Sequence, residues 1–125
     1  MPLRVEINDA QRLVRSEYSG TVRLEDFREN MRALATHPNF DPAYNEIIDL
    51  TGVTNVHAPP ELLDMIANHP SVFAREAMRV IVAPTTVLFG LARELQMLGE
   101  DMHPNLSVVK SLADAYRVLN LPATD

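Results

Sequence analysis

The residues best suited to chemistry in this 125-residue chain cluster just after two short apolar runs. The first group is Asp49-Leu50-Thr51-Gly52-Val53, with His57 a few residues further on. A carboxylate, a hydroxyl and an imidazole so close in sequence are the ingredients of an acid/base cluster. His57 falls between an expected strand and the helix after it, on the side where ligands of open α/β sheets collect. The loop between them leaves their geometry open, so His57 reads equally as a solvated loop histidine or a binding contact. Asp49 has a simpler use too, because an Asp at a strand end commonly bonds to the backbone of the following turn.

The second group is Pro84-Thr85-Thr86, at the exit of the next expected strand, with Arg93 one to two turns into the helix that follows. Hydroxyls and free N–H groups at a helix start can cradle an anion, and they can equally serve as a plain N-cap. Thr51, Gly52, His57, Thr85, Thr86 and Arg93 are therefore the candidate ligand-binding residues, and no residue is assigned a catalytic role. No metal or cofactor is expected. The chain has no cysteine, and His37, His69 and His103 each precede a proline, where they punctuate helix ends rather than coordinate.

These groups need elements to hold them. Residues 3 to 8 and 11 to 18 read as two strands, the first alternating apolar and charged residues, joined by Asn8-Asp9-Ala10-Gln11 as a turn and ended by Gly20. From Leu24 the period changes: Leu24, Phe27, Met31 and Leu34 share one helical face, with Thr21 the better N-cap candidate and His37-Pro38 the stop. The runs from Asn45 to Leu50, Arg79 to Ala83 and Leu106 to Val109 suit strands covered on both faces. Between them lie a helix opened by Pro59 and Pro60 that turns Leu62, Leu63 and Ile66 inward, and another striped by Leu88, Leu91, Leu95 and Leu98 up to Gly99. A last helix, capped at Ser111, buries Leu112, Ala115 and Leu119 before Pro122. Phe40, Tyr44, Phe73 and Met78 precede strands and read as plugs for the lower edge of the core.

The expected order is β-β-α-β-α-β-α-β-α: one α/β domain over residues 1–125, with an N-terminal antiparallel hairpin followed by right-handed parallel crossovers. Composition sets further bounds. Eleven basic residues against 17 acidic ones, a net charge of −6, disfavour nucleic acid as partner. No apolar run is long enough for a membrane helix, and the N-terminus lacks the apolar core of a secretory signal, so a cytoplasmic location is expected.

The element order, together with Asp49-Leu50-Thr51-Gly52-Val53, Gly20-Thr21-Val22-Arg23-Leu24-Glu25-Asp26-Phe27, His37-Pro38-Asn39-Phe40-Asp41-Pro42, Phe89-Gly90-Leu91-Ala92-Arg93 and Ser111-Leu112-Ala113-Asp114-Ala115, resembles the STAS superfamily, and within it the SpoIIAA-like small stand-alone bacterial proteins. The resemblance implies that fold and a role in bacterial regulation. Phospho-regulated members carry a serine where this chain has His57-Ala58-Pro59-Pro60-Glu61, so the kinase switch is not expected. The reading is a non-enzymatic binding or interaction module, with a protein partner or a small molecule as ligand and a homodimer as one form of association. The alternatives are a carrier or sensor of a small apolar or anionic ligand, using a crevice at the carboxyl ends of the parallel strands, and a hydrolase-type enzyme built on His57.

Overall fold

Period-two alternation at the start of the chain produces a hairpin, and the later β-branched runs extend it into a sheet. The computed structural model describes residues 3–57 and 60–122, the side chain of Pro60 aside. Ala58 and Pro59, and with them the middle of the expected switch turn, lie outside the described residues. The elements are β1 (Leu3–Asn8), β2 (Leu13–Val22), α1 (Leu24–Thr36), β3 (Asn45–Val56), α2 (Pro60–Asn68), β4 (Arg79–Val82), α3 (Thr86–Leu98), β5 (Leu106–Val109) and α4 (Leu112–Val118). They form an α/β fold around one five-stranded mixed sheet of order β1-β2-β3-β4-β5, antiparallel only between β1 and β2. No helix of the described residues is long and apolar enough to cross a membrane.

Because β2, β3, β4 and β5 step across the sheet in one direction, right-handed crossovers put α1, α2 and α3 on the same face. Alternation along the strands follows. Tyr18, Val53, Ile81 and Leu106 turn toward those helices and join Leu88 and Ala92 of α3, while Leu13, Ile47, Val80 and Val82 turn the other way, onto Ala115, Tyr116 and Leu119 of α4. At the amino ends of the strands Phe40 meets Phe73 edge-on, ring centres 5.2 Å apart, beside Leu34 and Val14. Phe40, Tyr44 and Phe73 plug the lower edge as expected, whereas Met78 is exposed and does not.

Three boundaries differ from expectation, each for a local reason. Gly20 does not end β2; at φ +66 it forms an irregularity across which the pairing shifts register, and the strand continues to Val22. That extension offers backbone partners to the chain beyond Leu50, so Thr51-Gly52-Val53 is strand rather than turn and β3 runs on to Val56, with Val53 buried. Gly52 fits there because a Cβ on it would lie 3.2 Å from that of Ser19. The N-cap of α1 is Arg23 rather than Thr21, since the Asp26 carboxylate accepts the Arg23 backbone N–H at 2.7 Å. Residues 69–78 form no helix; Asn45 and Asn105 side chains tie that segment down through Met78 N–H and the Arg75 carbonyl.

Candidate functional site

Glu46, Ile48 and Leu50 alternate onto the helix-covered face of β3, yet Ile48 and Leu50 are only half-buried. The helix layer parts above them: α2 packs along α3 and makes little contact with α1. The gap is a cavity of about 270 Å³. Tyr18, Phe27 and Met31 wall one side, Ile48, Leu50 and Ile81 form the floor, and Leu62, Ile66, Leu91 and Leu95 close the other side.

One end of this apolar space is polar. Glu46, fully buried, receives a hydrogen bond from Ser16 Oγ at 2.8 Å and another from Arg79 Nε at 2.9 Å. Ser16 has a single proton, and the Glu46 oxygen at 2.8 Å takes it ahead of the Asn30 Oδ1 at 3.3 Å. Arg79 turns one Nη to His103 Nδ1 at 3.0 Å and lies over the Phe73 ring. His103 Nε2 faces the Ile66 carbonyl at 3.3 Å. An arginine cannot accept, so Nδ1 is the acceptor and Nε2 carries the proton: the imidazole is neutral. Burial, and then the positive charge of Arg79, hold the His103 pKa below the usual imidazole range. Tyr18 stands beside this chain; burial first and the charge of Glu46 second push its phenol far above its ordinary value, so it stays protonated.

The state of His103 sets a pH dependence. The unfolded chain takes up the imidazole proton near ~6.5, whereas the folded chain resists it to lower pH, so stability is complete above that range and falls as pH drops through it. We expect the melting temperature of the wild type to fall on going from neutral to mildly acid buffer, and His103→Gln, which can accept from Arg79 and donate to Ile66 without titrating, to lose part of that fall. Equal slopes in thermal melts would remove His103 as the cause. Packing gives a second expectation. Both Leu34 and Leu95 border the cavity, but Leu34 is 1% exposed and Leu95 only half-buried, so Leu34→Ala should cost ~4–5 kcal/mol and Leu95→Ala ~2 kcal/mol in denaturant unfolding.

The residues singled out from sequence lie elsewhere. None of Thr51, Gly52, His57, Thr85, Thr86 and Arg93 lines the cavity. Thr51 donates its N–H to Asp49 Oδ1 at 2.9 Å, Asp49 binds Arg15 at 3.3 Å, and Thr85 caps α3 by accepting Leu88 N–H at 3.2 Å. Arg93 is exposed and reaches Gln96 at 3.2 Å. The register Asp49↔Val82 brings Thr51 beside the strand exit at Pro84, but His57 lies five residues past Gly52 along a strand, ~17 Å away. That separation follows from the length of β3. Among the described residues no group of three His, Asp or Glu is placed to hold a metal.

Sequence reasoning missed Glu46, Arg79 and the use of His103. The signal for Glu46 was an acid in step with Ile48 and Leu50, on the alternate positions that face the core, matched by a lone Arg at the start of the next parallel strand. No protein-family model and no curated protein matches this chain.

Proposed function

We propose that this chain is a STAS-like, non-enzymatic binding module, of the SpoIIAA-like kind and at work in bacterial regulation, that takes up a small amphiphile between its sheet and its helix layer. The observation that carries the reading is the apolar cavity of about 270 Å³ ending in the Glu46–Arg79–His103 chain. An apolar body with a few convergent polar groups is the usual form of a ligand site. At ~30 Å³ per group the space takes roughly nine carbon-sized groups. The same chain argues against catalysis by these groups, since both nitrogens of His103 and both oxygens of Glu46 are engaged within the protein. The STAS-like assignment draws on the strand order and on the sequence motifs together.

Displacement of a neutral solvatochromic dye by n-alkanols of increasing length tests the reading. Affinity should rise about fourfold per methylene, ~0.8 kcal/mol each, and level off near nine or ten carbons as the cavity fills. No displacement, or a rise without any break, would sink it.

A protein-interaction reading has one observation in its favour. β3 runs seven residues beyond the end of its pairing with β4 at Asp49, and Leu50–Val56 pair on the β2 side only among the described residues. Such an edge can receive a strand from a second copy. Sedimentation showing only monomer at high micromolar concentration would remove that form of association.

A further inference from the structure

A second pocket, of about 200 Å³, adjoins the cavity at the amino edge of the sheet, between residues 70–79 and the turn at 102–106. The two spaces share Pro70, Ser71, Phe73, Arg79, His103 and Leu106, so the wall between them includes a guanidinium and an imidazole joined by one 3.0 Å hydrogen bond. We propose that cavity and pocket are two chambers of one site, and that its ligand is an amphiphilic carboxylate whose chain lies in the first chamber and whose head is held by Arg79 and Arg75 in the second. The proposal rests on the cavity being an amphiphile site and adds the charge of the head group.

The second chamber differs from the first in chemistry. Its lining includes Arg75, Arg79, His103, Ser71 and Asn105, and no carboxylate. In a chain with 17 acidic and 11 basic residues, a pocket with two arginines and no acid runs against the average. Glu46 answers one of those charges from the far side, through Nε of Arg79, and His103 takes one Nη, which leaves the other Nη group as a donor. Arg75 is answered by no carboxylate: it donates to the Asp101 carbonyl at 3.3 Å, and no acid among the described residues lies within ion-pair distance of it. A planar carboxylate matches the fork of a guanidinium. A hydroxyl head would form one neutral hydrogen bond and leave the charge of Arg75 to water, and an ammonium head would meet like charge.

The experiment compares decanoate, decanol and decylamine as displacers of the same neutral dye. Decanoate should bind at least tenfold tighter than decanol, the worth of one charge-assisted hydrogen bond, and decylamine weaker than both. Arg75→Gln, at an exposed position, should cut the decanoate advantage severalfold while leaving decanol unchanged, and added salt should shrink that advantage in the wild type. If decanol binds as tightly as decanoate, or if Arg75→Gln leaves the ratio intact, the two-chamber anion site is overturned while the cavity reading stands. If none of the three displaces the dye, the cavity reading itself has failed.

Discussion

Arg79→Ala should lower the unfolding free energy by ~3–5 kcal/mol, the largest effect expected of any single polar substitution in this protein. Glu46 is fully buried, and Arg79, with a side chain 20% exposed, is its only ion-pair partner among the described residues. Removing the arginine strands a carboxylate with Ser16 as its remaining hydrogen-bond donor among the described residues, in a wall that is mostly apolar. It also removes the group on which His103 rests. The double variant Glu46→Leu/Arg79→Leu removes both charges, and Ser16 can then turn its proton to Asn30 at 3.3 Å, so most of the stability should return. Denaturant midpoints of the wild type, Glu46→Leu, Arg79→Leu and the double variant close the cycle. A single variant as stable as the wild type, or a double variant no better than Arg79→Ala, would show that the pair is not the buried interaction described above.

The course of the sheet was legible in the sequence because its determinants are local. Period-two runs, helical stripes and terminating residues such as Gly99 and Pro38 each act within a few positions, and all nine elements were readable in order. The site was not, for a reason also visible in particular residues. Whether Thr51-Gly52 turns or continues depends on the backbone partners that β2 supplies beyond Gly20, some thirty residues earlier. Likewise Glu46, Arg79 and His103 meet only because β3 and β4 align in register and the turn after α3 brings an imidazole against both; His103 before Pro104 carries no mark of that contact. The cavity is harder still to foresee. Leu91 and Leu95 repeat at core spacing, and only the lean of α2 toward α3 leaves them facing a void.

Ile48→Trp should abolish measurable binding of a ten-carbon alkanol while leaving the fold intact. Ile48 sits at the centre of the cavity floor, on β3 between Ser16 of β2 and Ile81 of β4, and is only half-buried because nothing covers it. Enlarging a side chain in a filled core costs ~1–3 kcal/mol through displaced neighbours, but here the indole enters empty space, so the denaturant midpoint should stay within about 1 kcal/mol of the wild type. If the ring excludes three or four methylenes of ligand, the lost burial is ~3 kcal/mol, or about a hundredfold in affinity. Leu95→Ala should act in the opposite sense and move the break in the chain-length series to longer alkanols. The two variants also separate the readings of function. Ile48 lies before the stretch of β3 that extends beyond its pairing with β4, which begins at Leu50, and points to the helix side, so association through that strand edge should not respond to it. Dye displacement unchanged by Ile48→Trp would place the bound molecules on the outer surface and leave the strand edge as the better account of what this domain binds.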